Sequence, residues 1–196
     1  MQILLVLAHP QAESFAASVA LRAAAELRRR GHTVDLLDLY AEDFDPRLTA
    51  RERRSYATET IVIDCPELTQ RLMAADALVL VFPQWWFNVP AILKGFFDRV
   101  LAPGIAFAVA PGGGRISPRL TRLKHVVALT STGSPWWVVR LVMGDPVRRL
   151  LKRGIVTACA PQARFRMLTL HGMDVAGEET RRRHLLRIDR LIATLA

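Results

Sequence analysis

The run Ala77-Leu78-Val79-Leu80-Val81-Phe82 is short, continuous and apolar, and it is followed almost at once by a second apolar pattern of different period. A six-residue run without alternation reads as a parallel strand covered on both faces. From Pro90, which suits a first helical position, Ile92, Leu93, Phe96, Phe97, Val100 and Leu101 recur at helical spacing. A strand buried on both sides and feeding a helix requires helices above and below a sheet. Between the two elements lie Pro83, Gln84, Trp85, Trp86, Phe87 and Asn88, an aromatic-rich turn at the carboxyl end of the strand, where open α/β sheets bind ligands. Such a turn packs no core, and its flat side chains suit a planar ligand.

The rest of the chain repeats this alternation. Gln2 to Ala8 reads as a strand, Glu13 to Arg30 as an Ala-rich amphipathic helix closed by Gly31, and Thr33 to Leu39 as a second strand. Tyr40 to Pro66 is polar and too long for an ordinary connection, so a short helix is expected around Ala50 to Ala57. Pro66 to Ala75 is helical and leads to the strand at Ala77. Pro103 to Ser117, with Gly112-Gly113-Gly114, has the composition of a mobile loop. His125 to Thr130 is the fourth strand, Trp136 to Arg153 mixed helix, Ala163 to His171 the fifth strand and Glu178 to Ala196 a terminal helix. The expected fold is therefore α/β, one domain over residues 1–196, with a doubly wound five-stranded parallel sheet and helices on both faces.

Composition excludes several classes. With 51% hydrophobic residues in 196 the chain has ample core material, and no apolar run approaches the length of a membrane span. A soluble, cytoplasmic protein is expected. Cys65 and Cys159 lack CxxC spacing and companion histidines, which supports neither a disulfide framework nor a metal site. The net charge of +9 would attract any polyanion, yet the runs Arg28-Arg29-Arg30, Arg51 to Arg54 and Arg181-Arg182-Arg183 read as solvated helix faces. No nucleic-acid signature accompanies them.

Two more strand ends carry chemistry. After the first strand, His9-Pro10-Gln11-Ala12-Glu13-Ser14-Phe15 precedes a helix, and a helix N-terminus holds phosphate through free N–H groups, here joined by the Ser14 hydroxyl and a His9 ring N–H. After the fourth, Thr130-Ser131-Thr132-Gly133-Ser134-Pro135 is small and polar, so its backbone can approach a ligand. Read alone, Ser14 is a helix cap, His9 a surface residue and the second stretch an ordinary turn. Occurring together at three strand ends, they suit one ligand with a phosphate and a planar ring. Neither GxGxxG nor GxxxxGKS is present.

Taken with Leu39-Tyr40, Phe44-Asp45-Pro46 and Gly144-Asp145-Pro146, these segments resemble the flavodoxin-like NAD(P)H:quinone oxidoreductase family, which includes ancillary subunits of potassium-efflux systems. The resemblance runs over nearly the whole length, with Phe82 to Leu101 its most specific block. It implies a homodimer with FAD, or FMN in some branches, and NAD(P)H as electron donor. Hydride would pass through flavin N5 to a quinone or similar planar acceptor in a ping-pong cycle. His9, Ser14 and Phe15 would lie at the flavin phosphates; Pro83 and the backbone of Gln84, Trp85, Trp86 and Phe87 at the isoalloxazine; Ser131, Thr132, Gly133 and Ser134 at its pyrimidine side. Phe107 and Trp136 would belong to the substrate pocket. Family members place a Tyr and a His after the fourth-strand loop, whereas here Trp136 or Trp137 stands near the Tyr and Met143 at the His. No catalytic side chain is therefore assigned. The alternative that the resemblance implies is a regulatory flavin-binding subunit in peripheral contact with a membrane potassium-efflux transporter.

Overall fold

In the computed structural model, which describes residues 1–56, 61–110 and 114–195, the expected alternation closes into a single parallel sheet. Its strands are β1 (Gln2–Leu7), β2 (Thr33–Asp38), β3 (Ala77–Pro83), β6 (His125–Thr132) and β7 (Arg164–His171), in the order β2-β1-β3-β6-β7. The chain leaves β1 toward β2 and then crosses back to β3, so the reversal of winding falls between β1 and β3. Ligands of open α/β sheets sit at this switch point. Register is continuous: Ile3 lies opposite Val34 on one side and Ala77 on the other, and Pro83 opposite Ser131.

Alternation along each strand feeds two cores. Ile3, Leu5 and Leu7 of β1 and Val79 and Val81 of β3 face α1 (Phe15–Arg29) and α7 (Glu178–Ile192), where Val19, Ala23, Leu27, Ile188 and Ile192 meet them. Leu4 and Val6 of β1 and Leu78, Leu80 and Phe82 of β3 face the opposite layer, built on α3 (Pro66–Ala74) and α4 (Ala91–Val100). Each fully buried Leu, Val or Phe contributes roughly 1.5–3 kcal/mol. That is why the continuous apolar runs, and not the polar segments, fix the sheet.

Several boundaries differ from the sequence reading, each for a local reason. Ser131 and Thr132 are not loop residues but the end of β6, because Ser131 lies opposite Pro83 of β3 and Thr132 opposite His171 of β7. Pro90 is the residue before α4, with an extended ψ of 150°, and not its first helical position. Pro103 to Ser117 is not simply loop: β4 (Phe107–Val109) and β5 (Ile116–Pro118) form an antiparallel hairpin, with Phe107 opposite Pro118. Residues 111–113 of that expected loop, Ala57 of the expected short helix and Ala196 lie outside the described residues. The short helix itself is α2 (Ala50–Ser55), held by a reciprocal Thr49/Glu52 capping box. Trp136 to Arg153 is more broken than expected. It holds a π-helical turn at Val138–Val142, α5 (Pro146–Arg149) and a second π segment, Leu150–Val156, running into α6 (Thr157–Cys159).

The basic runs behave as helix faces. Arg29 and Arg30 both pair with Glu26 at 2.7 Å, and Arg182 and Arg183 both pair with Glu179 at 2.8 Å. Arg51 reaches Asp64 at 3.4 Å. Among the described residues, no helix is long and apolar enough to cross a membrane.

Candidate functional site

The loops that follow β1, β3, β6 and β7 meet over the carboxyl end of the sheet around a cavity of about 490 Å³. His9, Ser14, Phe15, Pro83, Gln84, Trp85, Trp86, Ser131, Thr132 and Gly133, all expected from the sequence, line it together. Gln11, Ala16, Met173 and Asp174 line it as well and were not expected.

At the β1 end the chemistry is that of an anion holder. Ser14 caps α1, its Oγ accepting the N–H of Ala17 at 3.1 Å, which leaves the hydroxyl proton to donate elsewhere. Phe15 and Ala16 occupy the first two helical positions, whose N–H groups find no partner within a helix. The Nδ1 of His9 accepts the Gln11 N–H at 3.0 Å, so the ring proton resides on Nε2, free to donate. Thus the two readings of Ser14, cap and anion donor, are compatible on one side chain.

At the β3 end, Trp85 and Asn88 exchange both backbone hydrogen bonds at 3.1 and 3.0 Å, closing a two-residue turn. Its central residues, Trp86 and Phe87, both have positive φ, 52° and 56°. Tight hairpin turns of this form prefer Asn and Gly, and bulky residues held there store about 1–3 kcal/mol each. The Gln84 N–H is taken by the Ser131 carbonyl at 2.7 Å, and that of Trp85 by Asn88. Among the described residues neither Trp86 nor Phe87 donates its N–H to anything, so the strained pair is also the pair with free donors. The Trp86 side chain is 96% exposed and Trp85 lies with its ring 5.9 Å from that of His9.

Between these ends the polar chemistry is incomplete. Gln84 is only 5% exposed, yet among the described residues neither its Oε1 nor its Nε2 has a hydrogen-bond partner. A buried polar atom without a partner costs about 1–3 kcal/mol, which a polar ligand would relieve. Gly133 lies against the Asp174 carboxylate so closely that any Cβ would collide with it. A polar-edged planar ring with a phosphate tail fits this donor set.

Four expected residues are not at this cavity. Phe87, beside Trp86 on the turn, is not among the lining residues. Ser134 instead ties two loops together, its carbonyl accepting the Gly172 N–H at 3.1 Å. Phe107, on the β4–β5 hairpin, borders a separate apolar cavity of about 290 Å³ with Tyr56, Phe97 and Ile116. Trp136 borders a third cavity beside β7. Met173 and Asp174 could have been found: Gly172, at φ 66°, marks a turn after the fifth strand of the kind that follows the other site strands. Gln11 lies within the expected His9 to Phe15 segment and Ala16 directly follows it.

A family model described as a flavodoxin-like fold matches residues 1–189. Ribosyldihydronicotinamide dehydrogenase [quinone] of Mus musculus is 31% identical over 92% of this chain and 86% of its own length. Smu.1420 from Streptococcus mutans UA159 superposes with a TM-score of 0.86 at 30% identity, covering all of both chains. NAD(P)H:quinone oxidoreductase from Methanothermobacter marburgensis superposes with a TM-score of 0.84 at 28% identity, over all of this chain and 99% of that one.

Proposed function

We propose, from the premise that the chain belongs to this flavodoxin-like family alongside the quinone dehydrogenases, that it is a flavin-dependent NAD(P)H oxidoreductase acting on a quinone or similar planar acceptor. The observation that carries the reading is the convergence of an anion-holding helix start and a planar slot with unpartnered polar atoms on one cavity. Bound there, the flavin would supply the redox chemistry, taking hydride from NAD(P)H at N5 and delivering it to the acceptor. FAD is the cofactor proposed, with FMN as its alternative.

The chain's own residues bind, orient and tune. The Ser14 hydroxyl, the N–H groups of Phe15 and Ala16 and the His9 Nε2–H meet phosphate. The free N–H groups of Trp86 and Phe87 face the ring edge, where preorganised donors stabilise negative charge without an ionisable side chain. The Gln84 amide, able both to donate and to accept, reads the polar edge. Among the described lining residues the one imidazole is His9, at the phosphate end, so protons for the acceptor come from water. With one open slot, donor and acceptor occupy the same place in turn, which gives ping-pong kinetics. Trp137, Leu141 and Val142, on the segment after β6, are exposed apolar residues, and the reading includes a second copy of the chain covering them.

A visible spectrum of the purified protein, before and after reconstitution with FAD and FMN, tests this reading. The expected result is a flavin spectrum that bleaches on anaerobic addition of NADPH or NADH and returns with a quinone. A protein that stays colourless and binds neither flavin overturns it.

A further inference from the structure

Uncompensated positive charge gathers in the third cavity, of about 240 Å³, bounded by the carboxyl half of β7, the Val138–Val142 turn, α5 and α7. Arg140, Arg148 and Arg187 line it. Unlike Arg29, Arg30, Arg182 and Arg183, none of the three forms an ion pair or hydrogen bond with a described residue. Arg148 is held by the ring of Phe165 at 5.7 Å, which fixes its position without neutralising it. One carboxylate, Asp145, shares the cavity. His171 closes it, with a buried Nδ1 that has no hydrogen-bond partner among the described residues. Burial first, then Arg140, lowers the His171 pKa, so the ring is neutral at pH 7 and three cations face a single anion.

Guanidiniums present forked N–H donors that match phosphate oxygens, and three of them against one carboxylate suit a dianion. The space holds about eight waters at about 30 Å³ each, enough for a phosphate and the sugar that carries it. Asp145 can accept from a sugar hydroxyl, and the half-exposed Trp136 offers a flat face at the mouth. The cavity also adjoins the flavin site. Gly133 lines one and Trp136 the other, and likewise Met173 and His171, so the chain between them spans at most about 11 Å. The Gly172 to Ser134 hydrogen bond stands between them.

We propose that this cavity takes a phosphate monoester on a ribose, the 2′-phosphate end of NADPH, and so sets a preference for NADPH over NADH. The assignment of that ligand rests on the function proposed above, with the nicotinamide in the first cavity and the phosphate in the second.

The test separates the two. Isothermal titration of the full chain, without added flavin, is carried out with 2′-AMP, 5′-AMP, adenosine and inorganic phosphate. 2′-AMP is expected to bind at least tenfold more tightly than the other three, and Arg140→Gln and Arg187→Gln each to weaken it about tenfold with circular dichroism unchanged. In flavin-loaded protein Arg187→Gln raises KM for NADPH about tenfold and leaves KM for NADH unaltered. Binding of 5′-AMP or free phosphate as tight as that of 2′-AMP, or 2′-AMP binding unchanged in both variants, overturns the proposal. Tight 2′-AMP binding by a protein that takes no flavin would instead sink the function and leave the phosphate site standing.

Discussion

Two buried polar regions of the fold differ in how their hydrogen bonds close. Beneath the 40–66 segment, Glu52 is 2% exposed and Arg99 8%, and the pair meets at 3.0 Å. Glu52 also accepts the Thr49 N–H at 2.9 Å and the Asp64 N–H at 3.4 Å, while Arg99 donates to the Asp45 carbonyl at 2.6 Å and lies over the Phe44 ring. Burial alone would raise the Glu52 pKa, but the Thr49 N–H and the Arg99 guanidinium hold it below the ordinary carboxylate value. At the cavity, Gln84 is equally buried and among the described residues has no partner for either amide atom. A polar group closed by the chain itself holds the fold together; one left open at a cavity is poised for a ligand.

Breaking the closed region has the largest expected effect. Arg99→Met strands a buried carboxylate and should lower unfolding free energy by about 3–5 kcal/mol in urea titration. A loss below about 1 kcal/mol would mean that Glu52 is protonated or solvated, and that the two regions are not so different.

His184 is a third case, an open group away from the ligand. It is 2% exposed, packs 6.1 Å from the Phe15 ring, and burial above all, then Arg187, lowers its pKa to about 4. In the unfolded chain an imidazole takes its proton near pH 6.5. Because the folded value is depressed, the stability it confers is complete above about pH 6.5 and is lost as pH falls to about 4, up to roughly 3 kcal/mol. His184→Phe should flatten that part of the stability profile in urea melts from pH 7 to pH 4. A profile of the same slope in the variant would assign the loss to other groups.

The smallest effect sharpens the comparison most. Gln84→Leu removes both open amide atoms at similar volume, so the flavin-free protein should be as stable as the parent or about 1 kcal/mol more so. Flavin affinity, read by fluorescence titration, should fall about tenfold. A destabilised apoprotein with unchanged flavin affinity would place Gln84 with the closed region.

The alternation of buried runs with amphipathic helices determined the doubly wound sheet, because periodicity is a local property and each apolar run has to be covered. It also placed three loops at the carboxyl ends of strands, since a parallel sheet puts the end of every strand on one edge. Ten residues of the cavity were legible on that ground alone. What the residues cannot state locally is which strand ends become neighbours across the sheet. Asp174 enters only because β7 pairs with β6, bringing its loop against Gly133. The same long-range packing decided the fate of the charges. Arg29, Arg30, Arg182 and Arg183, from runs conspicuous in the sequence, meet glutamates one helical turn away, while Arg140, Arg148 and Arg187, scattered over three elements and unremarkable in the chain, are gathered around one cavity. A helix pairs charges three and four residues apart by its own geometry. Convergence of distant ones exists only after the sheet and its covering helices have closed.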